Sequence, residues 1–283
     1  MSSRLMKIAT VLIALTLAAG CGGSSDESAS TTAPKATDCT NPPLKNDGVL
    51  TVATGDPAFE PWVVDDDPTN GKGFESAVVA AVAKQMGITK VNWTRTGFDA
   101  AIAPGKKDFD FNVQQYSITP ERKEVVDFSR SYYTVEQALV AAKDNEISKA
   151  RSLADLKDAR LGAALGSTSL DYIENVIKPN TQVQVFDDNA AAKAAFDAGQ
   201  VDGLVFDLPT AYYVTAVEIE NADIVGVLPT VGDAEQLGFL FEKGSPLVSC
   251  VDNALDALDK DGTLASLQTE WLARGGDIPT LSE

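Results

Sequence analysis

The sequence predicts an α/β protein built as two lobes. Three observations carry this. Strand-like and helix-like segments alternate between residues 49 and 113, and the alternation resumes between residues 160 and 228. Two extended segments, 137–143 and 235–244, follow the two units. They are where the chain would cross from one unit to the other and return. With 283 residues, 44% of them hydrophobic, there is material for one large domain or two modest ones.

The N-terminal segment reads as processing signal rather than fold. Arg4 and Lys7 precede an apolar run from Ile8 to Ala19, then small residues. That is an export signal, too short for an ordinary spanning helix. Ala18-Ala19-Gly20-Cys21 resembles a bacterial lipobox, although the usual Leu three places before the cysteine is Ala18 here. The resemblance implies cleavage after residue 20 and a lipid on Cys21; an incidental cysteine in a plain secretory signal is the other reading. Residues 21–38 are rich in Ser, Thr and Ala and lack large apolar side chains, so they read as a flexible tether.

The folded part follows in order. VLTVAT (49–54) reads as a strand. FESAVVAAVAKQMG has helical apolar spacing and stops at Gly87. Val91–Trp93 suggests a strand, FDAAIAPG a short helix and FDFNV (109–113) a strand. TPER opens a helix, with Thr119 as cap and Pro120 in the first turn. In the second unit RLGAAL, QVQVF, DGLVFD and ADIVGVL are strands. STSLDYIENVI, NAAAKAAFDAG and LPTAYYVTAVEI are the helices among them. Two helices, roughly 246–259 and 262–273, close the chain. Both sheets are expected to be mostly parallel. Lobe 1 is expected to hold 39–136 and 240–283, and lobe 2 to hold 137–239 with the hinge strands.

Charge narrows the function. There are 23 basic residues against 41 acidic ones and no histidine, for a formal −18. Such a field disfavours nucleic acid and anionic lipid headgroups. Without histidine there is no His-based triad and no HExxH zinc site. No metal or cofactor is expected. Beyond Cys21, Cys39 and Cys250 remain. In an exported chain they can close a long loop, restraining the unfolded state by roughly 4–5 kcal/mol in the chain-entropy model; two free thiols are the alternative.

Ligands of a two-lobed α/β protein bind outside the carboxyl ends of its strands, and several residues fall there. Arg122 offers a guanidinium fork suited to a carboxylate, with Ser117 and Thr119 close in sequence. The plainer reading is an exposed arginine on a capped helix. GSTS (166–169) opens a helix after a strand, as an anion seat or an ordinary cap. Asp207 ends a strand, to receive an ammonium group or to cap the next helix. Phe59, Trp62 and Phe98 are loop aromatics that form cleft walls or core. Asp56 is a turn former or a polar pocket group.

These stretches resemble the bacterial extracellular solute-binding proteins of family 3, the polar amino acid receptors of ABC importers. The resemblance lies in LTVATGDPAFEPW, GKGFESAVVAAVAKQMG, SITPERKEVVDFSRSYY and LKDARLGAALGSTSLDY, and runs from about Gly48 to Trp271. It implies the type II periplasmic-binding-protein-like fold, two α/β lobes joined by a two-strand hinge. It further implies that Arg122 clamps an α-carboxylate, helped by Thr168 from the opposite lobe. Ser117 and Asp207 would hold the α-ammonium. Phe59 and Phe98 would sandwich the side chain, and Asp56 would touch its tip. Gln115 stands where the family has Gly or a small hydroxyl residue, a departure beside the cleft. The implied role is a lipid-anchored, monomeric receptor at the extracytoplasmic face of the membrane. It would bind a polar L-amino acid (glutamine, arginine, histidine or glutamate-like) and deliver it to an importer permease. A glutamate-like ligand would need a further donor from Gln114 or Gln115. Two alternatives stand beside this: a ligand sensor signalling to a membrane partner, and an exported cyclohexadienyl-type dehydratase with Asp56 moving the proton.

Overall fold

The computed structural model describes residues 39–273 and 277–283. The export signal, Cys21 and the tether lie outside the described residues. The first lobe begins with β1 (Leu50–Thr54), α1 (Phe74–Gln85), β2 (Val91–Arg95), α2 (Phe98–Ile102), β3 (Phe111–Asn112), α3 (Pro120–Val125) and β4 (Val126–Phe128). The chain crosses on β5 (Tyr133–Val135). The second lobe holds β6 (Gln137–Ala142), β7 (Leu161–Ala164), α4 (Thr168–Tyr172), β8 (Gln184–Phe186), α5 (Asn189–Asp197), β9 (Gly203–Asp207), α6 (Leu208–Tyr213) and β10 (Ala222–Val227). It returns on β11 (Glu235–Leu237) and completes the first lobe with β12 (Leu240–Glu242), α7 (Val248–Lys260) and α8 (Thr263–Trp271).

Each sheet has five strands, ordered β2-β1-β3-β12-β4 and β10-β6-β9-β7-β8. In each, three strands linked through helices run parallel: β2, β1 and β3, and β8, β7 and β9. The remaining pairings are antiparallel, β12 with β3 and β4, and β6 with β10 and β9. The sheets are therefore mixed rather than mostly parallel. β6 and β12 enter directly from the hinge, without the helical crossover that forces a parallel neighbour.

The hinge itself is a small antiparallel pair, with Glu235 opposite Val135 and Leu237 opposite Tyr133. Segment 137–143, expected to be a crossing, is instead interior to the second sheet. Its alternate residues feed two cores: Leu139 and Ala141 pack with Leu161, Ile173 and Val205 on one face, and Ala138 and Val140 with Leu204, Phe206 and Ala211 on the other. The first lobe packs α1 and α7 over its sheet through Val78, Val82, Val251 and Leu255, with Trp62, Phe74, Phe111, Phe239 and Phe241 filling the space between.

Two further points bear on the expected boundaries. Residues 240–283 do not all belong to the first lobe. Thr280 bridges Val227, Ser282 bridges Ser152, and Leu281 is buried in the second lobe's core. A short apolar anchor flanked by polar residues carries no local sign of which sheet it will join. Cys39 and Cys250 form a disulfide, which joins the first described residue to α7.

Candidate functional site

The loops leaving the parallel strands face one another across the two lobes. Behind β1 come Asp56, Pro57 and Phe59; behind β2, Gly97 and Phe98; behind β3, Gln114, Gln115 and Ser117. From the other lobe, Ser167 and Thr168 follow β7, Asp187 to Asn189 follow β8, and Asp207 and Thr210 follow β9. Together with Arg122 these line a cleft of about 280 Å³. All eight residues expected at a ligand site border this one space: Asp56, Phe59, Phe98, Gln115, Ser117, Arg122, Thr168 and Asp207.

Arg122 is not the exposed charge of the plainer reading. Thr119 does cap α3, accepting from the Arg122 main-chain N–H at 3.2 Å. That short helix turns the side chain inward, leaving the residue 7% exposed. Nη1 donates to the Ser117 carbonyl at 2.8 Å. Nη2 donates across the cleft to the Gly166 carbonyl at 2.9 Å. The guanidinium carbon lies 5.3 Å from the centre of the Phe98 ring, a cation–π contact. Phe98 itself stacks on Tyr116 at 4.6 Å. Burial lowers the Arg122 pKa from its ordinary value, and Glu235 is the largest charge opposing that shift.

Asp207 resolves in favour of a pocket group over a helix cap. Its side chain makes no capping bond to α6; it accepts from Gln137 Nε2 at 2.7 Å. Burial raises its pKa to about 8, and the charges of Glu235 and Glu75 push the same way. A half-buried carboxylate with this surplus of negative neighbours favours an arriving cation. Trp62 is core, fully buried, yet its indole N–H reaches Thr210 of the other lobe at 2.9 Å.

Gln115 lines the cleft, but its amide is turned away from it. Its main-chain N–H and its Nε2 both donate to Glu75, at 2.8 and 2.5 Å, from a backbone φ of +53°. Gln114 Oε1 accepts from the Tyr116 hydroxyl at 2.9 Å. The donor required for a glutamate-like side chain is therefore not supplied by Gln115.

Sequence reasoning missed Glu75, Gln137 and Glu235, all now beside the anchors. Gln137 and Glu235 sit in no capping or glycine motif, whereas Glu75 lies in the first turn of α1, two residues after its cap Gly73 in GKGFES. Only the return of β11 brings Glu235 beside Ser117 and Thr168. Glu75 is fully buried and takes a third bond, from the Tyr132 hydroxyl at 2.5 Å. Burial outweighs these bonds and raises its pKa to about 7, against 4.5 in the open chain. Between those values the native state holds a proton that the unfolded chain has released, so stability falls as pH rises. Glu75→Gln is expected to unfold at higher urea than the parent protein at pH 8, by about 3 kcal/mol of stability. The difference should vanish towards pH 4. A gap independent of pH would show that Glu75 stays ionised throughout.

Comparison with known proteins fits this geometry. The profile of the bacterial extracellular solute-binding proteins, family 3, matches residues 50–274. The chain belongs to that family. The family 3 protein is 30% identical over 239 residues to the L-cystine-binding protein TcyA of Bacillus subtilis, covering 83% of this chain and 84% of that one. It is 29% identical over 209 residues to the arginine-binding extracellular protein ArtP of the same organism, covering 70% and 77%. Among solved structures, an ancestral arginine-binding protein bound to arginine superposes with a TM-score of 0.68 at 34% identity, covering 80% of this chain and 99% of that one. The ancestral amino acid-binding protein AncCDT-1, a precursor of cyclohexadienyl dehydratase, gives 0.66 at 34%, covering 80% and 96%. The family 3 protein thus has the type II periplasmic-binding-protein fold. Its named relatives are binding proteins rather than enzymes, which supports a non-catalytic role linked to amino acid transport.

Proposed function

We propose that the protein is a lipid-anchored extracytoplasmic receptor, acting as a monomer, that binds a polar L-amino acid between its lobes and delivers it to an ABC importer. The observation that carries this is the pairing of opposite anchors in one closed cleft. Arg122 is the single basic residue on the lining and Asp207 a half-buried carboxylate facing the same space. A zwitterion satisfies both at once. In this reading Arg122 and the main-chain N–H of Thr168 hold the α-carboxylate, and Asp207 with Ser117 holds the α-ammonium. Phe59 and Phe98 flank the side chain, and Asp56 meets its tip. Ligand-free ties already span the lobes through Arg122 and Gly166, and through Trp62 and Thr210. A bound zwitterion would add to the same closed state by binding it in preference to an open one.

The distal lining favours arginine first. Asp56, Asp187 and Asp188 line the cleft along with Asp207, against Arg122 alone. A cationic side chain matches that balance, a neutral amide such as glutamine is tolerated, and a second carboxylate is opposed. Glutamate is the poorest fit of the four.

The test is a thermal-shift screen after unfolding and refolding to strip carried-over ligand. The panel holds the twenty L-amino acids, L-cystine and prephenate. Ligand that binds the native state raises its melting temperature. L-arginine is expected to give the largest rise, with L-glutamate giving none. No rise from any amino acid in refolded protein would defeat the proposal, and a rise with turnover of prephenate would replace it with an enzyme.

A further inference from the structure

Glu235 opens the returning hinge strand and lies behind the cleft, where it borders a separate rear recess together with Gln137 and Thr168. One carboxylate oxygen accepts two hydroxyl protons, from Ser117 Oγ at 2.5 Å and from Thr168 Oγ1 at 2.6 Å. The other accepts from Gln137 Nε2 at 3.1 Å. Ser117 belongs to the first lobe and Thr168 to the second, and their oxygens are 3.4 Å apart.

A hydroxyl has one proton. With both protons committed to Glu235, Ser117 and Thr168 offer only lone pairs to the cleft they line. They match an N–H donor and cannot donate to a carboxylate. The anion-binding capacity of the Thr168 turn is then confined to its main-chain N–H, which at the first position of α4 has no acceptor within the helix.

Resting on the amino-acid reading above, we propose that Glu235 is a positioning residue. By fixing the direction of the Ser117 and Thr168 hydroxyl protons, it makes the pair an acceptor seat for the ligand's α-ammonium beside Asp207. The device also senses closure. One carboxylate oxygen can hold both hydroxyls only while the two lobes meet over the hinge, so the acceptor seat exists in the closed form and is broken by opening.

The surroundings make the test sharp. Gln137 is held at both ends: its Oε1 accepts from Ser169 Oγ at 2.5 Å, and its Nε2 donates to Asp207. Its Nε2 therefore stays aimed at position 235. In Glu235→Gln the new amide must turn its oxygen to Gln137 and its NH₂ to the hydroxyls. That reverses their polarity and points their protons into the cleft.

Calorimetric titrations of the parent and Glu235→Gln with L-arginine and with 5-guanidinopentanoate, its counterpart lacking the α-amino group, read the effect. The variant is expected to bind L-arginine roughly tenfold or more weakly, while the des-amino ligand changes by less than about threefold. A pH series adds a readout that a structural role would not move. Asp207 is faced by Glu235, Glu75, Arg122 and the Gln137 amide. Removing the charge at 235 should shift the pH at which L-arginine binding strengthens to a lower value. Glu235→Asp, which keeps the charge but draws it back from the hydroxyls, is the second variant, and the same selective loss is expected.

Equal losses for both ligands, or unchanged L-arginine binding in both variants, overturn the proposal and leave the amino-acid reading standing. Failure of the parent protein to bind L-arginine or any other amino acid removes that reading and overturns the proposal with it.

Discussion

Replacing Arg122 by alanine is expected to cost roughly 2–5 kcal/mol of amino acid affinity, as for truncation of one partner in a buried, hydrogen-bonded charge pair. The fold should survive. Arg122 sits on a helix of six residues whose cap belongs to Thr119, and that cap bond runs to the main-chain N–H, not to the side chain. What alanine removes is the fork. The Ser117 and Gly166 carbonyls lose their donors and Phe98 loses its cation. An incoming carboxylate would then meet a cleft lined by acids, without a compensating charge. Arg122→Lys should fall between the two, because a single ammonium keeps the charge but not the two-pronged geometry. Calorimetry of parent and variants, with melting curves as the folding control, reads this. Near-parental affinity in Arg122→Ala would sink the carboxylate-clamp assignment whatever the ligand.

The arginine also shows what was legible in the sequence. Local signals were: the Thr119 cap, Pro120 in the first turn, the apolar spacing of α1 and its stop at Gly87 all depend on neighbours a few residues away. So were the strand ends that carry Asp56, Phe98 and Asp207, because each parallel strand hands over to its helix at the same edge of the sheet. The misses share a long reach. β4 and β5 are three residues each and exist because β12 and β11 return more than a hundred residues later to pair with them. β12 and β6 run antiparallel because they join the hinge, which no local periodicity reports. Glu235 reads as a polar residue at the start of an extended segment, and its role arises where both lobes and the hinge meet. The inward turn of Gln115 depends on Glu75, forty residues earlier.

Removing the Cys39–Cys250 bridge should produce the largest loss of stability of any change outside the cleft. The bridge closes residues 211 positions apart, for which the chain-entropy model gives about 5 kcal/mol. The loop contains both hinge crossings and the whole second sheet, so most of the chain's unfolded freedom lies inside it. Paired substitution, Cys39→Ser with Cys250→Ala, avoids leaving a lone thiol at position 250, which is 2% exposed. For a chain of this size the melting temperature is expected to fall by roughly 5–15 °C. Affinity should stay near the parental value while the protein is folded, since neither cysteine lines the cleft and both lie in the first lobe. The rise in melting temperature on adding L-arginine is then the discriminating quantity. If the staple acts on the unfolded chain alone, ligand adds a comparable increment to bridged and unbridged protein, because the native site is the same in both. A bridge that also shaped the cleft would shrink that increment, and the disulfide would have to be counted among the residues that set affinity.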